Sequence, residues 1–324
     1  MSLLRLRLGM IGTLALVIAI STLFLSIILS FMGTLNLVTL AFYVLVFNIA
    51  QWLVAPYLID AMYGTRSISE SDNPKLYAMI RDLSRKIGVK TPRLMLANIP
   101  IPNAFAYGSP IAGSRVAVTS GMLKELEDEE IEAVVGHELG HLKHRDVQVM
   151  MMISVLPAIF YYLGYSMMMS STYGRGQRRD EGGGGLLALI GIASLAVYWV
   201  LTLFVLGLSR MREYYADQTS ALTIEDGARK LSEALAKIVR STGRFKSYYG
   251  AIGNTSSFKA LFISDPDMAD RDEAAIAASR MFSSDQRLVQ EILSRKVTFL
   301  DKILELFSTH PNIVKRLQSL QRLA

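Results

Sequence analysis

A chain of 324 residues that is 51% hydrophobic and only 19% charged, with a mean hydropathy of +0.33, departs from an average soluble domain toward a membrane protein. Its 34 Lys and Arg against 28 Asp and Glu leave a net charge of +6, but the basic residues are dispersed or sit beside apolar runs. That distribution suits an anionic lipid surface and argues against nucleic acid, while the absence of cysteine excludes disulfides, thiol catalysis and cysteine metal ligands.

The charge map locates the apolar segments. No charged residue occurs between Arg7 and Asp60, between Asp146 and Arg175, or between Glu181 and Arg210. A spanning helix takes about 20 apolar residues, so the first gap predicts two spans, near 10–32 and 37–59, and the others one each, near 148–170 and 186–208. Arg5 and Arg7 precede a run far longer than a signal-peptide core, which reads as an uncleaved anchor. Asn48 and Gln51, in the second span, read as interhelical hydrogen-bonding groups. Arg5, Arg7, Arg66, Lys143, Arg145, Arg210 and Arg212 flank one side of the membrane, against Arg175, Arg178 and Arg179 on the other. The positive-inside rule therefore places both termini in the cytoplasm.

After the second span, Asn73-Pro74 opens a helix whose Leu76, Ile80, Leu83 and Ile87 share a face, and Gly88 closes it. Short strands are predicted at 93–99, 104–107 and 115–119. An acidic stretch, Glu125, Glu127, Asp128, Glu129 and Glu130, then marks a helix N-terminus. The helix carries His137-Glu138-Leu139-Gly140-His141. Residues four apart lie on one helix face, so His137 and His141 can present two imidazoles to one ion. Glu138 points to the side, where a carboxylate can reach an attacking water without binding the metal. Such a pattern arises by chance in a chain this long on the order of one time in a hundred, so the surrounding sequence must support it. Ile131, Val135 and Leu142 recur on one side of this helix and Val134, His137 and His141 on another, as in a core helix that carries a site.

The third span follows, then a flexible loop at Gly182–Gly185, then the fourth span. A zinc site needs a third protein ligand besides two histidines, and the candidates are His144, His310 or a carboxylate. Seven residues of helix separate His144 from His137 by about 10 Å, too far for one ion, so His144 reads as a surface residue or one that supports a ligand. Glu213 is the better candidate, with Asp217 a turn later to accept the other N–H of a histidine ring. Two crossings lie between His141 and Glu213, an even number, so the two fall on the same side. At 1.5 Å per helical residue, His141 lies about 9 Å before the third span and Glu213 about 8 Å after the fourth, so the site is expected close under the membrane. Helices are predicted at 212–223, 225–241, 272–281, 284–306 and 311–322.

His137-Glu138-Leu139-Gly140-His141, a two-span hairpin, and Glu213 with Ala216-Asp217 together resemble the HtpX family of membrane zinc endopeptidases, relatives of the CAAX prenyl endopeptidases. The resemblance extends over essentially the whole chain. It implies one zinc per chain held by His137, His141 and Glu213, with Glu138 as catalytic base. It also implies that Asn103, Ala104, Phe105 and Ala106 form a strand beside the cleft, where an edge can pair with an extended substrate. Thr309-His310-Pro311 with Arg316 resembles the family's C-terminal motif. His310 or Arg316 is then placed to donate to the developing oxyanion, with the Pro at a helix start.

The expected fold is an α+β, mostly helical membrane protein: a zincin-like (gluzincin) catalytic domain with four transmembrane helices. An N-terminal hairpin, 1–60, precedes a cytoplasmic peptidase domain in two pieces, 61–147 and 209–324, interrupted by a second hairpin, 148–208. The expected activity is zinc-dependent cleavage of misfolded or damaged membrane proteins in the cell membrane, as protein quality control. A CAAX-type endopeptidase is the nearest alternative, but that family has more spans around a large chamber. A zinc-stabilised scaffold without catalysis is the other, and it has no use for Glu138 beside the metal.

Overall fold

The computed structural model describes residues 37–173, 183–249 and 285–324. The span expected near 10–32, the basic loop at 175–179 and the helix expected at 272–281 lie outside them. In chain order the described elements are α1 (Leu37–Tyr63), β1 (Arg66–Ser67), α2 (Pro74–Ile87), β2 (Arg93–Ala97), β3 (Ala104–Ser109) and β4 (Gly113–Thr119). They continue with α3 (Ser120–Glu125), α4 (Asp128–Lys143), α5 (Asp146–Tyr173), α6 (Gly183–Thr223), α7 (Gly227–Tyr249), α8 (Asp285–Ser294), α9 (Phe299–Leu306) and α10 (Ile313–Gln321). The fold is α+β and mostly helical, and it divides into two compact units.

One unit comprises, among the described residues, 37–52, 148–173 and 183–208. In it α5 and α6 bury Phe160, Leu163, Met167 and Leu201 while leaving Met152, Leu189 and Trp199 exposed. Helices that are apolar outside as well as inside suit a lipid surround. The segments Asp146–Met169 and Gly184–Thr223 are long and apolar enough to cross a membrane, by length and composition. The stretch expected as the second span, 37–59, is helical throughout within α1.

The other unit contains described residues 53–147, 209–249 and 285–324. Its sheet has the order β1-β2-β4-β3, with β2 and β4 parallel and the outer pairs antiparallel, which leaves β3 at an edge. One sheet face, with Leu94, Val116 and Val118, shares a core with α2, α4, α7, α8 and α10. Met95, Phe105, Tyr107 and Ala117 face the other way and meet Ile59 and Tyr63 near the end of α1. That division follows the strands' two-residue period.

Local chemistry sets the helix ends. The Asn73 side chain accepts from the Leu76 N–H at 3.1 Å, Pro74 begins α2, and Gly88 ends it at φ +81°. In α4, Glu130 accepts the Glu127 N–H at 2.8 Å, and Asp128, Glu129 and Glu130 fill the first turn, where the helix dipole favours anions.

Several expected boundaries shift. The segment 212–223 is not separate but continues α6, because Ser209-Arg210-Met211-Arg212 contains no helix breaker. That helix starts inside the glycine run expected to be a loop, at Gly183. The predicted 284–306 helix is two helices: Thr298 and Asp301 exchange N–H bonds in a capping box that starts α9. Pro311 precedes the cap of α10 rather than starting the helix, since Asn312 accepts from the Val314 N–H at 2.9 Å.

Candidate metal centre

Helix α4 presents His137 and His141 on one face, and α6 brings Glu213 against them. The close approach is made by glycine. A Cβ on Gly140 would stand 3.1 Å from Ala216 Cα, and one on Gly136 would stand 2.7 Å from Ile224 Cδ1. Beside them, Ser220 Oγ donates to the Ala133 carbonyl at 2.6 Å. The ring-nitrogen and carboxylate ligand atoms of His137, His141 and Glu213 lie within 4.8 Å of one another, so the trio is able to hold a metal ion.

Each imidazole is braced from behind. His137 Nδ1 lies 2.9 Å from Asp217 Oδ1, as the Glu213/Asp217 spacing predicted. His141 Nδ1 lies 2.6 Å from Asp146 Oδ2, a partner that the sequence reading missed. With each Nδ1 against a carboxylate, the two Nε2 atoms face inward, 3.1 Å apart, on the side of Glu213. Glu213 stands 3.7 Å from His137 Nε2 and 3.6 Å from His141 Nε2. Two facing ring nitrogens beside a carboxylate call for a cation between them. Burial opposes protonation of His141, but the Asp146 hydrogen bond and the nearby carboxylates prevail and push it up to about 9.

The carboxylates divide by environment. Burial raises Glu138 above the usual carboxylate range, although His137 and His141 pull the other way. Burial also acts on Glu213, Asp146 and Asp217, yet neighbouring cations and hydrogen bonds hold all three below their usual values. Arg316, 1% exposed, donates to Asp217 through Nε at 2.9 Å and Nη2 at 2.5 Å, with Nη1 3.4 Å from Glu213. Arg212 Nε lies 3.1 Å from Asp146 Oδ1 in the same supporting position.

The remaining expected site residues fall as follows. Glu138 accepts the Ala106 N–H at 2.8 Å, so the edge strand holds this carboxylate directly. Asn103 and Ala104 are buried at the start of that strand, and Phe105 packs into the opposite sheet face. His310 Nε2 lies 3.7 Å from Glu213 Oε1, while its Nδ1 contacts Thr309 Oγ1 at 2.9 Å. His144 turns away from the trio, with Nε2 3.2 Å from Thr219 Oγ1 and its ring edge-on to Tyr215.

A family model described as peptidase family M48 matches residues 70–324. The chain belongs to peptidase family M48. As an M48 peptidase it is a metalloendopeptidase, and the resemblance read from its motifs is borne out by its relatives. It is 39% identical over 284 residues to the protease HtpX homolog of Thermoplasma acidophilum, covering 86% of this chain and 83% of that one. With protease HtpX homolog 2 of Sulfurisphaera tokodaii it shares 36% identity over 288 residues, 87% and 84% of the two chains. The crystal structure of S. mikatae Ste24p has the same fold, with a TM-score of 0.55 at 16% identity over 98% of this M48 chain and 67% of that one.

Proposed function

We propose that the protein is a zinc endopeptidase, anchored by four membrane-spanning helices, that cuts exposed segments of misfolded or damaged membrane proteins from the cytoplasmic face. The observation that carries the chemistry is the inward-facing Nε2 pair beside Glu213, with each opposite ring nitrogen against a buried carboxylate. Two nitrogens bound to one tetrahedral zinc stand about 3.3 Å apart, and those of His137 and His141 are 3.1 Å apart. The donor set of two imidazoles and one carboxylate leaves a position open for chemistry.

Zinc, when bound, supplies Lewis acidity toward the scissile carbonyl and the attacking water. Glu138 takes a proton from that water and returns it to the leaving nitrogen. The Ala106 N–H fixes one Glu138 oxygen, which aims the carboxylate while the other oxygen works. Because β3 is a sheet edge, an extended polypeptide can add to it through main-chain hydrogen bonds, with little demand on side-chain identity. His310 is the favoured donor to the oxyanion, since Arg316 is committed to two hydrogen bonds with Asp217.

The membrane arrangement rests on the charge-free gaps, on the continuous helices α1, α5 and α6, and on the bias of Lys and Arg toward the loops that flank the site. We place the N-terminal hairpin at 1–60 and the second hairpin at 148–208, with the peptidase domain formed by 61–147 and 209–324. Replacement Glu138→Gln tests the catalytic reading. The variant is expected to bind zinc and fold normally while losing cleavage of an unfolded membrane protein; full activity would overturn the assignment.

A further inference from the structure

Helix α9 is inverted relative to a helix on a water-facing surface. Its carboxylates Asp301 and Glu305 are 4% and 8% exposed, whereas Phe299, Leu300, Ile303, Leu304, Leu306 and Phe307 are exposed, Phe299 at 78% and Phe307 at 58%. The inversion is fixed by hydrogen bonds. Asp301 accepts from the Thr298 N–H at 2.8 Å and hydroxyl at 2.7 Å, and Glu305 accepts the Asn312 N–H at 3.2 Å and pairs with Lys315. Rotating α9 to hide its apolar side would break every one of these contacts.

Two observations say what covers that side. Arg210, the first charged residue after the apolar run that ends Leu206-Gly207-Leu208, donates Nη1 to the Leu306 carbonyl at 3.2 Å and the Ser308 carbonyl at 2.7 Å. A run that ends in arginine ends at headgroup level, so these bonds set the C-terminal end of α9 at that level. Lys296 and Lys302 are exposed at its start and along its length, as anionic headgroups require.

We propose that α9 lies in the interfacial layer of an anionic bilayer, with its outward aromatic and aliphatic side chains among the lipids. The proposal rests on the membrane reading above. It adds a lipid contact a few residues before His310, so the bilayer surface helps set the position of the loop that reaches Glu213.

The natural chain has no cysteine, so single replacements can be labelled selectively. Phe299→Cys, Ile303→Cys and Phe307→Cys in the full-length protein would carry an environment-sensitive fluorophore in phosphatidylcholine–phosphatidylglycerol vesicles. Ile192→Cys in the fourth span and Gln318→Cys at an exposed position of α10 serve as references. All three α9 sites are expected to be quenched by lipids with a nitroxide near the headgroup and spared by aqueous iodide, with the opposite result at 318. Lipid quenching at 192 with iodide quenching at the α9 sites would overturn the proposal and leave the membrane reading intact. Absence of lipid quenching at 192 would remove the membrane reading and this proposal with it. Protection of the α9 sites from both quenchers would point to a protein occupant and would also overturn it.

Discussion

Two parallel relays hold the centre at the level of single residues: His137–Asp217–Arg316 and His141–Asp146–Arg212. In each, an arginine supports a carboxylate and the carboxylate fixes an imidazole tautomer, which is how a buried site keeps two lone pairs aimed at one point. Asp217→Asn and Asp146→Asn are each expected to weaken zinc binding about 10–100-fold, measured by competition with a chromogenic chelator. Unchanged affinity in both would show that the carboxylates are bystanders. Arg316→Met leaves two buried carboxylates short of their cation and should cost about 3–5 kcal/mol of folding stability in a denaturant titration of the metal-free protein. Asp217 was legible because Glu213 and Asp217 share a helix face. Asp146 was not, since five residues along a continuous helix turn through about 140° and point away from His141. The chain instead breaks after α4, with Arg145 at φ +54°, and the new helix starts with Asp146 against the ring.

Between elements, the decisive contact is the glycine-lined approach of α4 to α6. A helix contact this close needs small residues on both sides, and the chain supplies Gly136 and Gly140 opposite Ala216 and Ser220. Alanine at either glycine gains about 1 kcal/mol of helix propensity, so the sign of each substitution depends on what its new methyl meets. At Gly136 the nearest atom is the end of the Ile224 side chain, which can rotate aside. At Gly140 it is the Ala216 backbone, only three residues from Glu213. Gly140→Ala is therefore expected to push α6 away and lower zinc affinity several-fold, whereas Gly136→Ala should bind zinc nearly normally, both read by chelator competition. Equal affinity in the two variants would show that the spacing does not matter. The elements that were legible carried strong local signals: the Asn73-Pro74 start, the Gly88 stop, and the alternation in β3. The split of the 284–306 helix was legible too, in Thr298-Phe299-Leu300-Asp301, but a continuous apolar period masked the cap. Glycines beside a histidine motif carry no such signal, because the close packing they permit depends on a partner about 80 residues away.

Across the whole molecule, three of the helices that begin or end in apolar segments also deliver a carboxylate to the peptidase unit: Asp60 at the end of α1, Asp146 at the start of α5, and Glu213 within α6. Asp60 is the one not used by the metal trio. It pairs with buried Arg115 on β4, accepts from Tyr107 Oη at 2.7 Å on β3, and accepts from Thr65 Oγ1 at 2.6 Å. Burial raises the Asp60 proton affinity, but these donors and the Arg115 charge outweigh it and hold the group below its usual value of 3.8. A carboxylate lowered in the fold contributes stability that is complete above that usual value and is lost as pH falls through the lower folded one. At neutral pH the link is therefore intact. It fastens the end of α1 to the strand whose Ala106 N–H holds Glu138, one residue from Tyr107. Asp60→Asn removes the charge while preserving the shape, and it strands Arg115, whose side chain is 5% exposed. The expected loss is about 3–5 kcal/mol of stability in denaturant at pH 7, with a lower kcat and unchanged zinc affinity. Tyr107→Phe removes one hydrogen bond to a charged group and should cost less, about 1.5–3 kcal/mol. A variant pair with normal stability and normal kcat would show that the end of α1 plays no part in catalysis; a lower kcat at constant zinc affinity would make it a positioning element for Glu138.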